Sequence, residues 1–141
     1  MWSHYSDLHR GISIDFNEEK MRQSSFFGRG GLVKYDDKFP VINPLDGDLF
    51  ENNIHLIYTK AKDWNYEQEY RLAKFNFPNE LSLSDRLVKL PTEFIDEVNL
   101  GLKIPSNHKD EIMEFCFANQ IKTFQIKKTP FAFQLDRSLI Q

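Results

Sequence analysis

The sequence predicts an α+β fold, a mostly antiparallel sheet with about two helices packed on it. Three observations lead there. Short stretches alternate apolar and polar residues at the strand period, as in Ile12-Ser13-Ile14-Asp15-Phe16. The 13 Phe, 5 Tyr and 2 Trp favour strands over long helices. Only two segments carry a helical apolar stripe wide enough to pack on a sheet. The 141 residues suit one domain, 1–141, able to bury a core without disulfide or metal staples.

Ile12, Ile14 and Phe16 share one face of the first strand, with Ser13 and Asp15 on the other. Asn17–Gln23 is polar and suits a short helical turn. Phe27-Gly28-Arg29-Gly30-Gly31 reads as a break, and Leu32–Tyr35 as a second strand. Phe39–Gly47, with two prolines, is a loop. Asp48–Asp63 reads as a helix, capped by Asp48 with Glu51 three positions on, its stripe running through Phe50, Ile54, Ile57, Tyr58 and Ala61. Tyr66–Phe75 reads as a strand, 76–85 as a loop and Arg86–Leu90 as a short strand. Pro91 starts a helical turn, and Val98–Leu100 is a brief strand ended by Gly101. Asn107 caps the second helix, whose apolar face holds Ile112, Met113, Phe115, Cys116 and Phe117. Lys122–Ile126 and Phe131–Leu135 finish the chain as strands.

Bulk properties exclude several classes. With 40% hydrophobic and 28% charged residues the chain is not a disordered one. A net charge of −3 gives no electrostatic footprint for nucleic acid, although Lys122, Lys127 and Lys128 lie close in sequence. Cys116 is the only cysteine, so no intrachain disulfide forms, and its apolar neighbours suit an inert buried thiol. No run approaches the roughly 18 apolar residues of a membrane helix, and no basic-then-apolar leader opens the sequence. The expectation is a soluble, cytoplasmic protein. His4 and His9 are five apart, out of line for joint ligation on a helix, so no metal site is expected. Gly28-x-Gly30-Gly31 precedes a strand and fails the context of a dinucleotide fingerprint.

The most informative stretch is Trp64-Asn65-Tyr66-Glu67-Gln68-Glu69-Tyr70-Arg71. On a strand, Glu67, Glu69 and Arg71 project from one side at intervals of roughly 6–7 Å. Such a row serves either as a catalytic or ligand-binding rail or as a solvated face with Arg71 bridging the carboxylates. Trp64 either stacks on a ligand ring or pins the strand to the core. A second constellation, His4, Tyr5, His9 and Arg10, precedes Gly11. Its histidines suit acid–base work and Arg10 an anion. The alternative is a helical turn packed by Trp2 and Tyr5 and capped by His9 and Arg10.

Met1-Trp2-Ser3-His4-Tyr5-Ser6-Asp7, His9-Arg10-Gly11 and the following strand resemble one signature of a bacterial family, domain of unknown function 2971. Trp64-x-Tyr66-Glu67-x-Glu69-Tyr70-Arg71 resembles its second signature, and Pro91–Gly101 its third. The resemblance runs over nearly all of the chain and implies that an N-terminal portion usual in the family, with an Asn-Asp-Pro motif, is lacking. The family's order of elements is similar to that of ADP-ribosyltransferases, where an early strand and a late glutamate grip NAD. This implies a nucleotide- or NAD-directed enzyme, or a fragment of one, serving in defence or toxin biology. Glu69 would be the key carboxylate, Glu67 its partner and His4 a supporting catalytic group. Arg71, Arg10, Tyr5, His9 and Trp64 would be ligand contacts, with NAD as substrate. The alternative is a non-catalytic binding or regulatory module. Sheet edges left open by the missing portion imply a homodimer or that portion as partner.

Overall fold

The computed structural model describes residues 2–43, 45, 49–74 and 82–141. In chain order the elements are α1 (Trp2–Tyr5), β1 (Ile12–Phe16), α2 (Glu18–Gln23), β2 (Arg29–Leu32), β3 (Lys34–Asp36), α3 (Leu49–Ile57), β4 (Thr59–Ala61), β5 (Tyr70–Ala73), β6 (Ile95–Leu100), α4 (Ser106–Ala118), β7 (Lys122–Lys128) and β8 (Leu135–Leu139). Short 3₁₀ turns cover Lys62–Glu67, Ser84–Arg86 and Thr92–Phe94. The class is α+β, and among the described residues three of the five strand pairings are antiparallel. The chain divides into a terminal unit, Met1–Gln23 with Leu87–Gln141, and a central unit, Ser24–Arg86.

In the terminal unit the sheet order is β1-β6-β7-β8. The alternation of Ile12 and Ile14 sets β1 antiparallel to β6, with Ile12 opposite Leu100 and Ile14 opposite Val98. A register shift between Asp15 and Phe16 ends that match. β6 and β7 are parallel, and α4 is the crossover between them. Val98, Leu100, Cys116 and Ile121 form the core, with Ile12, Ile104, Ile112 and Met113 packed around it. Cys116 is fully buried, as its apolar setting predicts. Each large apolar side chain so buried stabilises by roughly 1.5–3 kcal/mol.

Among its described residues the central unit holds two small sheets, β2 with β5 antiparallel and β3 with β4 parallel. Here the glycine run read as a break is strand. A Cβ on Gly30 would lie 2.4 Å from Tyr70 Oη and 2.8 Å from Leu72 Cδ2, so glycine leaves room for β5's side chains. The second strand is accordingly two, β2 and β3, meeting at the buried Val33.

Other expectations need correction. The helix read over 48–63 stops at Ile57. Tyr58 N–H still donates to the Ile54 carbonyl, after which Thr59–Ala61 leaves to pair with Lys34–Asp36. Its proposed cap, Asp48, lies outside the described residues, as does 75–81 of the following strand and loop. The first part of the predicted Tyr66–Phe75 strand is not extended: residues 62–67 form a 3₁₀ turn, Gln68 is left-handed at φ 47°, and the strand itself is Tyr70–Ala73. Arg86–Leu90 is not a strand. α4 starts at Ser106 because Pro105, extended at ψ 142°, is its N-cap, so Asn107 lies inside the first turn. Phe115 and Phe117 are exposed, not core. Phe131–Gln134 is the turn before β8, closed by Thr129 N–H to the Gln134 carbonyl, and only Leu135 of that segment is strand.

Candidate functional site

The predicted charge row converges in space, by a different route from strand alternation. Glu67 ends the 3₁₀ turn, Gln68 reverses the chain through a left-handed conformation, and Glu69 stands one residue ahead of β5. The Glu69 N–H donates to the Tyr35 hydroxyl at 2.7 Å, tying this joint to β3. Tyr35 sits opposite Lys60 in the parallel β3–β4 pair. That register delivers a cation to the carboxylates.

Lys60 Nζ donates to Glu67 Oε2 and, at 3.3 Å, to Glu69 Oε2. Arg71 grips Glu69 with both edges of its fork, Nε to Oε1 at 2.6 Å and Nη2 to Oε2 at 3.0 Å, while Nη1 donates to the Ile57 carbonyl. Two carboxylates and two cations thus form one chain of ion pairs. The Glu67 side chain is only 6% exposed, against 23% for Lys60, 29% for Arg71 and 30% for Glu69. Bonding to Arg71 above all, with Lys60 adding to it against the cost of burial, holds the Glu69 carboxyl below the usual glutamate range. Bonding to Glu67 and, less strongly, Glu69 raises Lys60, and bonding to Glu69 raises Arg71. All three groups are charged at neutral pH. Lys60 Nζ also stands 4.9 Å from the centre of the Trp64 ring, a cation–π contact, and Trp64 lies against Tyr66 at 6.1 Å.

A cavity of about 330 Å³ opens elsewhere in the central unit, lined among others by Arg29, Gly31, Lys34, His55, Tyr58 and Thr59. Its lining includes none of the four clustered residues, though Thr59 precedes Lys60 in β4 and Gly31 pairs with Arg71. The Tyr58 hydroxyl donates to the Arg29 carbonyl at 3.0 Å, and burial raises its pKa. Arg29 is held by the exposed Glu51 at 3.2 Å, and the exposed Lys34 by the half-buried Asp36 at 2.9 Å.

The second constellation belongs to the terminal unit. His4 and Tyr5 are exposed on α1. Asp7, Leu8 and His9 are all left-handed, and the Arg10 and Gly11 N–H groups donate back to the Ser6 carbonyl. His9 stacks on Trp2, ring centres 6.4 Å apart, and its Nδ1 is buried without a hydrogen-bond partner. Its carbonyl accepts from Lys103 N–H at 2.9 Å, and that of Gly11 from Gly101 N–H at 3.0 Å. Arg10 pairs with Asp7 at 3.7 Å on the surface. Among the described residues no group of three or more His, Cys, Asp and Glu could hold a metal ion.

Sequence reasoning missed Lys60 and Tyr35. The β-branched Thr59 after Ile57-Tyr58 was the available signal that the helix ends and a strand begins.

A family model described as Protein of unknown function (DUF2971) matches residues 1–72, just over half of the chain. The matched span takes in the segment from Trp2 through β1 and the Trp64–Arg71 segment, and leaves Pro91–Gly101 outside. No curated protein and no solved structure matches the chain.

Proposed function

We propose that this chain, which belongs to the DUF2971 family, is a nucleotide-directed protein that acts on NAD in the manner of ADP-ribosyltransferases, with Glu69 as its key carboxylate. The observation that carries this reading is the double grip on Glu69, which fixes the carboxylate and keeps it ionised. When nicotinamide leaves a ribose, the C1′–N bond breaks with its electron pair going to nicotinamide, and the sugar gains oxocarbenium character. The positive charge moves from the pyridinium ring onto the sugar, and an anion fixed beside the ribose stabilises it more there than in the ground state. Glu67 would position the acceptor, and Trp64, exposed beside Lys60, would offer a face to a base or nicotinamide ring.

The phosphates of such a ligand need cations that can change partners. Arg71 is committed to Glu69 and to a backbone carbonyl. Arg29 and Lys34 are better suited, because exposed ion pairs contribute only about 0–1 kcal/mol and exchange readily for a phosphate. This shifts the anion-binding role from Arg71 and Arg10 toward the lining of the central cavity. His4, Tyr5, His9 and Arg10 carry no step in this scheme.

One observation favours a second reading, a binding module without chemistry. Glu67 is almost wholly out of solvent and tied to Lys60, the geometry of a structural ion pair. Calorimetric titration of the chain and of Glu69→Gln with NAD and with ADP-ribose separates the cases. The enzyme reading expects NAD to bind the parent chain and Arg29→Ala to weaken it. Binding with no nicotinamide release supports the module, and no binding of either ligand sinks both.

A further inference from the structure

The turn between β7 and β8 presents two phenylalanines that the fold leaves entirely in water. Phe131 and Phe133 have relative exposures of 109% and 116%. Phe131 is also left-handed, at φ 58°, a conformation that bulky residues rarely adopt. The turn is not loose, for Thr129 N–H donates to the Gln134 carbonyl at 3.0 Å and Ala132 N–H to the Thr129 carbonyl at 3.3 Å. A hydrogen-bonded turn that spends backbone strain to aim two aromatic rings outward is the form of a docking element.

The same unit carries an apolar groove of about 420 Å³ between β1, β6 and α4. Ile12, Ile14, Ile95, Val98, Ile112 and Phe115 line it, and Ile14 and Phe115 remain 39% and 47% exposed. β1 and β8 are the opposite edges of the four-stranded sheet, three strand spacings or roughly 14 Å apart. Both rings of the turn are fully exposed, so they do not fill the groove of their own unit.

We propose that the Phe131–Phe133 turn of one copy inserts into the groove of a second copy, and that the two copies do so reciprocally. Area favours the reciprocal form. Two phenylalanines bury about 300–500 Å² and the facing groove a similar area, so one insertion falls short of the roughly 1,200 Å² of a stable interface. Two insertions reach that range. Charge agrees, since Lys127 and Lys128 lead into the turn while Glu111 lines the groove, with Asp110 and Glu114 on the same helix. Arg10 and His108, also on the groove, oppose this match, and Arg10 is offset by its pair with Asp7. The lysines beside exposed aromatics would equally suit an anionic lipid surface, but only the second copy accounts for the groove as well.

The test is sedimentation equilibrium of the full chain, a doubly substituted Phe131→Ser/Phe133→Ser chain and a groove variant, Ile14→Glu, over a wide concentration range. The parent chain should be dimeric. Each variant should raise the dimer Kd by roughly a hundredfold or more, the scale of losing interface hot spots. Circular dichroism of the turn variant should match the parent, because neither ring touches the core. A parent chain monomeric throughout, or a dimer that survives Phe131→Ser/Phe133→Ser, overturns the proposal. So does a monomer that floats with phosphatidylserine vesicles only when both phenylalanines are present.

Discussion

Arg71→Met should destabilise the central unit through its pair with Glu69, and the loss should depend on Glu69 being present. Arg71 gives two charge-assisted hydrogen bonds to Glu69 and a third to the Ile57 carbonyl. Exposed ion pairs contribute about 0–1 kcal/mol, and breaking a fully buried pair costs about 3–5 kcal/mol. Side chains 29% and 30% exposed fall between these cases, so a coupling of about 1–2 kcal/mol is expected. A double-mutant cycle of Arg71→Met and Glu69→Gln measures it. The chain has one tryptophan in each unit, Trp2 and Trp64. Urea unfolding in a Trp2→Phe background, followed by Trp64 fluorescence, therefore reports the central unit. Strict additivity of the two substitutions would refute the argument that the pair is fixed, and with it the reason for placing Glu69 at the site.

Further outcomes follow from the same geometry. Because Glu69's pKa is lowered on folding, its contribution to stability is complete above the unfolded glutamate value of about 4.3 and is lost as pH falls through the lower folded value. The urea midpoint of the parent chain should accordingly drop more steeply below about pH 4 than that of Glu69→Gln. Lys60, raised on folding, works oppositely: its contribution is present below its unfolded value and fades as alkaline pH passes the folded one, an arm that Lys60→Met should flatten in the same assay. Gly101→Ala should destabilise the terminal unit by about 3 kcal/mol or more, since overpacking is joined by the loss of a backbone hydrogen bond. Its Cβ would stand 2.4 Å from the His9 carbonyl oxygen and 2.5 Å from that of Gly11, backbone atoms that cannot swing aside. An unfolding free energy from urea titration lowered by less than half that amount would show that the His9–Gly11 backbone yields.

What could be read from the sequence was mostly local. The Ile12–Phe16 alternation yields β1, and the spacing of Ile112, Met113 and Cys116 yields the packed side of α4. Non-local determinants were hidden. Lys60 reaches the carboxylates only because Thr59–Ala61 pairs in parallel with Lys34–Asp36, twenty-odd residues earlier, and nothing in either segment names the other. Gly30 looks like a chain break until Tyr70 and Leu72 are seen above it. Phe131 and Phe133 imitate a buried strand face because alternation records periodicity, not burial. Glu67, Glu69 and Arg71 do lie close together, but not through the strand alternation that the sequence suggests. A 3₁₀ turn and one left-handed glutamine bring together what alternation would have spaced along a strand.

The role proposed for the fixed, ionised Glu69 is chemistry on a nicotinamide nucleotide. The most direct measurement is the release of nicotinamide from NAD by the parent chain and by Glu69→Gln, with circular dichroism confirming that both are folded. The parent should release nicotinamide, and Glu69→Gln should lose that release by at least about a hundredfold. Equal release by both, or none by a parent chain shown to bind NAD, would contradict it.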